Sequence, residues 1–123
     1  MDTREIVQNY FDYVNSGRWD DYLTLFADDI VMDEQMLGHL EGLERLKAGI
    51  DGLRSQPDFR NRLREIVVEG DRAMAIWHIT APQPDGRVLE VDGVNCYHVK
   101  NGKIVYFANF HDTAPFAALS GDS

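Results

Sequence analysis

The sequence predicts an α+β fold in which helices pack across one face of a strongly curved, antiparallel or mixed β-sheet. Three observations carry this expectation. Apolar residues recur at helical spacing through most of the first 54 positions. From residue 59 onward the period drops to two, the repeat of a pleated strand. Tight-turn signals then separate the strands, so successive strands fall beside one another, and helices followed by a run of strands point to α+β, not to α/β.

The elements follow in order. Residues 3–16 set Ile6, Val7, Tyr10, Phe11 and Val14 on one stripe, with Asp2 and Glu5 spaced as a capping box and Gly17 suited to the C′ position. A short second helix carries Trp19, Tyr22, Leu23 and Phe26. A strand is expected over 30–34, then a Gly-punctuated loop holding His39, then a third helix over about 42–54 that Gly49 and Gly52 weaken. REIVVEGDRAMAIWHIT reads as strand, turn, strand. PQPDG breaks the chain, RVLEVDGVNCYHV is another strand, and KNGK is a type I′ hairpin signal before IVYFANFHD. Three N-terminal helices on the sheet are thus expected.

Composition bounds the function. At 123 residues, with 44% hydrophobic and 11% aromatic residues, the chain is expected to form one domain over residues 1–123 with one core. A net charge of −9 repels phosphates and anionic lipid, which disfavours nucleic-acid and membrane partners. Arg60, Arg62 and Arg64 alternate on one strand face and suit cross-strand ion pairs with Glu90 and Asp92. The lone Cys96 offers neither a disulfide nor a metal cluster, and no apolar run reaches the ~20 residues of a membrane helix. The charged N-terminus lacks a signal-peptide core, so a cytoplasmic setting is expected.

Strand parity singles out polar residues on apolar faces. Glu34 shares its face with Ile30 and Met32, whereas Asp33 goes with Val31. Asn95 goes with Val91 and Tyr97, His111 with Phe107 and Asn109, and His78 with Met74 and Ile76. Each has a plain alternative: a solvated strand-end acid for Glu34, hydrogen-bonded core groups for Tyr10, Asn95 and the histidines. His98 and Asp112 fall on the opposite parity. His39 could lie over a pocket as part of a lid.

With FADD before the first strand, a Gly opening the third helix, EGDR, NGKI and a closing GKIVYFANFHD, the chain resembles the NTF2-like superfamily, in its SnoaL-like polyketide cyclase and ketosteroid isomerase branches. The resemblance spans about Ile6 to Leu119 and implies a cone-shaped pocket between helices and sheet. Carried over residue by residue, it implies Tyr10 as the group that polarises a substrate carbonyl and Glu34 as general base. Asn95 stands in place of an acidic hydrogen-bond donor, and His111 and His78 join the catalytic set. The substrate would lie against Met32, Ile76, Tyr97, Phe107, Asn109 and Phe116. The spacing from Glu34 to Gly42 is one residue short of the isomerase pattern, which leaves Asp33 as the alternative base. Asn109 replaces the acid usual in the cyclases.

The activity so implied is cofactor-independent acid–base chemistry: isomerisation, cyclisation or elimination through an enolate of an apolar, carbonyl-bearing small molecule such as a polyketide or steroid. No phosphate loop, dinucleotide fingerprint, nucleophile elbow or metal signature is visible in the sequence. Two other readings remain open. A limonene-type epoxide hydrolase needs an inward Arg between two Asp, and no such Arg is evident. A non-catalytic small-molecule-binding or dimerisation module needs only the fold. The outer sheet face, mixing Val94 and Cys96 with charged residues, suggests a homodimer.

Overall fold

The 13-residue helix Thr3–Asn15 sets the frame of the computed structural model, which describes residues 1–119. This helix, α1, starts where the Asp2 carboxylate accepts the Glu5 N–H at 2.8 Å and ends before Gly17, whose φ of 68° reverses the chain. Its stripe of Ile6, Val7, Tyr10, Phe11 and Val14 is buried. The remaining elements are α2 (Trp19–Leu23), β1 (Phe26–Glu34), β2 (Gly38–Glu41), α3 (Leu43–Arg54), β3 (Arg60–Glu69), β4 (Arg72–Pro82), β5 (Val88–Lys100), β6 (Lys103–His111) and α4 (Ala114–Leu119).

The six strands form one curved mixed sheet in the order β2-β1-β6-β5-β4-β3. All neighbours are antiparallel except β1 and β6, which run parallel and pair Met32 with Phe107. Asn101 and Gly102 take φ of 52° and 75°, both in the left-handed region, as the turn between β5 and β6 requires. The helices cover one sheet face, and the core lies between the two layers.

Two expectations about the elements are corrected. Among the described residues the fold has four helices, of which only α1 and α3 are long; α2 is a single five-residue turn, and α4 follows the last strand. The segment around His39 is not a loop. After a three-residue turn Gly38 adopts φ of 82°, and Gly38–Glu41 folds back on β1, pairing Asp33 with His39. Among the described residues no helix is long and apolar enough to cross a membrane.

Candidate functional site

Between α1, α3 and the inner sheet face lies a cavity of about 280 Å³ with mainly apolar walls. Its polar lining includes Tyr10, Glu34, Asn61, Asn95, Asn109 and His111, with Arg45 at the rim. Met32, Phe107 and Phe116, expected against a substrate, also line it.

Strand alternation explains the aim of Glu34. Ile30 and Met32 are buried on the inner face of β1, and Glu34 continues that face to the cavity rim. Its Oε2 accepts the N–H groups of Met36 at 2.9 Å and Leu37 at 2.6 Å, which closes the β1–β2 turn and fixes the carboxylate. Oε1 takes no hydrogen bond among the described residues. Asp33 points the other way: Oδ2 accepts the Tyr106 hydroxyl at 2.6 Å and Oδ1 meets His39 Nδ1 at 2.8 Å. Of the two acids, Glu34 is the one at the cavity. His39, far from capping the pocket, bridges Asp33 and Glu41 on the exposed side of the hairpin.

The cavity floor is a buried polar network. Trp77 Nε1 donates to Asn95 Oδ1 at 2.7 Å, and Asn95 Nδ2 donates to the Tyr97 hydroxyl at 2.8 Å. These bonds fix the orientation of the Asn95 amide and leave it one further hydrogen. The hydroxyl of Tyr10 stands in polar contact with Tyr22, Asn95 and Tyr97. Burial pushes the Tyr10 phenol up to about 12, those contacts offset part of the rise, and the nearby Glu34 charge adds to it. Burial likewise holds Tyr22 and Tyr97 well above the usual range. All three phenols therefore keep their protons at neutral pH, and Tyr10, which lines the cavity, is a neutral donor. Tyr97, which the sequence places against the substrate, is 0% exposed and lies behind Tyr10 instead, since its ring packs edge-on against Tyr10 and Phe107.

Gly93 makes room for the floor. A Cβ there would sit 2.3 Å from the Trp77 ring, so the indole lies flat on the β5 backbone only because residue 93 lacks a side chain.

His111, at the end of β6, donates from Nδ1 to the carbonyl of Asp112 at 2.9 Å, because a carbonyl can only accept. In the neutral ring Nε2 is then the acceptor. The ring lies between Trp77 and Phe116, at 6.0 and 5.1 Å. Asn109 Oδ1 accepts the Gln35 N–H at 2.9 Å and ties β6 to the β1–β2 turn. Phe116 arrives on α4, whose last carbonyls, of Ala118 and Leu119, accept from Arg87 at 3.1 and 3.3 Å.

His78 and Ile76 do not belong to the site. Ala73, Ala75 and Trp77 form the buried face of β4, while Met74 and Ile76 are 46% and 40% exposed on the outer face. His78 stands between Arg62 and Asp92 in the ladder and bonds Asp92 at 2.9 Å; Arg64 reaches the same carboxylate at 3.2 Å. Of the expected cross-strand pairs only Arg64–Asp92 forms among the described residues: Arg60 donates to the carbonyls of Pro57 and Phe59, and Glu90 faces His78 instead. Apolar residues on both faces of β4 made parity a poor guide there. Sequence reading also missed Asn61, whose strand shows mainly charged residues, and Arg45, an exposed residue of α3 at the cavity rim. Arg45 makes no ion pair among the described residues, unlike an Arg held between two Asp.

The profile of the SnoaL-like domain matches residues 7–107. Among solved structures, a proposed SnoaL-like polyketide cyclase from Jannaschia sp. CCS1 is 21% identical with a TM-score of 0.81, over 96% of this chain and 91% of its own. An NTF2-like protein of unknown function from Exiguobacterium sp. 255-15 is 26% identical with a TM-score of 0.77, over 87% and 98%. AclR, a proposed hydroxylase from Streptomyces galilaeus, is 21% identical with a TM-score of 0.80, over 98% and 96%. No functionally curated protein matches the chain at a significant level.

Proposed function

Because the chain belongs to the SnoaL-like domain family, with an NTF2-like fold, we propose that it is an acid–base enzyme. It would act as an isomerase, cyclase or lyase on an apolar, carbonyl-bearing small molecule, working through an enolate with its own side chains alone. The observation that carries this reading is the pairing, in one apolar cavity, of a neutral phenol donor at Tyr10 with a fixed carboxylate at Glu34. The carboxylate takes a proton from the carbon beside the carbonyl. The C–H electrons move to the carbonyl oxygen, and the hydrogen bond from Tyr10 stabilises the developing enolate. The proton then returns to another carbon, or a leaving group departs. His111 Nε2 is a second acceptor on the same wall.

Enolisation can be tested without the natural substrate, by following deuterium incorporation beside the carbonyl of 2-tetralone in D2O by NMR. The wild-type protein should accelerate exchange, Glu34→Gln should lower the rate about 10²-fold or more, and Asp33→Asn should stay near wild type. If the protein binds 2-tetralone without accelerating exchange, it is a binding module. If Glu34→Gln exchanges normally while His111→Ala does not, the base is His111.

A further inference from the structure

On the edge strand β3 a buried amide stands outside the chemistry above. Asn61 is 6% exposed and lines the cavity. Its backbone is doubly held, because Asn15 Nδ2 donates to the Asn61 carbonyl at 2.8 Å and the Asn61 N–H donates to Asn15 Oδ1 at 2.7 Å. This clasp joins the end of α1 to the edge of the sheet. The side chain is treated differently. Its amide makes no hydrogen bond among the described residues, and Oδ1 is shut away from solvent without a donor. Buried amides are almost always paired, and an unpaired one destabilises the protein that carries it. A leucine of similar volume would avoid that penalty, so the amide has no structural return.

Tyr10 and Asn15 are five residues apart on α1, about 7–8 Å along the helix axis at ~1.5 Å per residue. Tyr10 and the clasped Asn61 are two polar anchors on different elements of one cavity of about 280 Å³, which has room for a small ring compound between apolar walls. We propose that Asn61 binds a second oxygen of the ligand, so that the substrate class is an apolar, ring-sized compound with a carbonyl toward Tyr10 and a hydroxyl at its far end. A hydroxyl both donates and accepts. Turning the amide about its last bond exchanges Oδ1 and Nδ2, so a hydroxyl meets either orientation, whereas an apolar end leaves the amide unpaired. This inference rests on the cavity being a site for carbonyl compounds.

The test is a matched pair of probes, 2-acetylnaphthalene and 6-acetyl-2-naphthol, with affinities measured by fluorescence or calorimetry on the full chain. Wild type should hold the naphthol at least tenfold more tightly. Asn61→Leu should remove that preference by weakening the naphthol alone, and should raise the melting temperature of the free protein. Asn61→Ser, which keeps a small polar group, serves the same comparison if the leucine variant does not fold. Equal affinity of wild type for the two probes overturns the role of Asn61 and leaves the pocket reading intact. So does an equal loss of both probes in Asn61→Leu. If neither probe binds wild type, the pocket reading falls and this inference with it.

Discussion

Gly93→Ala tests the floor of the cavity. The added methyl would meet three atoms of the Trp77 ring at 2.3, 2.4 and 2.8 Å. Carbon atoms rest at about 3.5 Å or more, so the indole must move by roughly 1.2 Å. Trp77 is buried, and its Nε1 is bonded to Asn95 Oδ1 at 2.7 Å, so a shift of that size breaks the bond. Overpacking costs about 1–3 kcal/mol, and leaving the acceptor of a residue only 1% exposed without a partner adds about 1–3 kcal/mol. The total, about 2–6 kcal/mol, is a large share of a small domain's stability. Thermal unfolding followed by circular dichroism should show a fall of roughly 8–24 °C, at ~4 °C per kcal/mol. Indole emission should shift as Trp77 leaves its seat. The same substitution in a Trp77→Leu background should cost much less, because nothing rigid then opposes the methyl. A melting temperature within roughly 2–3 °C of wild type, or an equal loss in both backgrounds, would refute the account.

Three further outcomes are expected. His111→Ala should move stability by about 1 kcal/mol or less, since the ring is only partly buried, yet slow 2-tetralone exchange at least tenfold; a collapse of the fold with normal exchange returns the residue to packing. The β1–β2 hairpin should be most stable between about pH 4 and 6.5. The Asp33 and Glu41 carboxylates hold His39 above its usual range, so its contribution is complete below the unfolded value and fades as pH rises through the folded one. The Tyr106 and His39 bonds hold Asp33 low, so its contribution fades as pH falls through its folded value. Amide exchange in β2 should show this window, and an identical profile for His39→Gln would dismiss it. Finally, the outer face, where Met74, Ile76 and Phe110 stand exposed beside the Arg64–Asp92 pair, should form a two-fold dimer that Ile76→Glu splits; sedimentation of wild type as a 14.0 kDa species alone at micromolar concentration rules this out.

What could be read in advance depended on how local the signal was. Asp2 with Glu5, the Asn101–Gly102 turn and the shared parity of Ile30, Met32 and Glu34 are short-range patterns, and the structure contains each of them. β2 was hidden because four residues beginning at Gly38 and stopped by Gly42 are too few to show a period. The face of β4 was hidden because Met74 and Ile76 are apolar yet exposed on the outer face, while the buried Ala73 and Ala75 are too small to mark the core side. The placing of Tyr97 behind Tyr10, and the unpaired amide of Asn61, depend on contacts between distant elements that no window of sequence contains.

The parallel pairing of β1 with β6 has a kinetic consequence. β3 to β6 are joined by short connections and can zip together in sequence, whereas β1 must find β6 across a long stretch of chain, Met32 meeting Phe107. The seam is therefore expected to close late, and with it the contact of Asn109 with the β1–β2 turn and the seating of Glu34 at the cavity rim. Weakening the seam, for example by Asn109→Ala, should quicken unfolding in stopped-flow experiments while refolding hardly changes; slower refolding at an unaltered unfolding rate would place the seam in the nucleus instead. A molecule lodged against both sides of the seam would act as a kinetic latch, lengthening the life of the folded chain by holding shut the last junction it made.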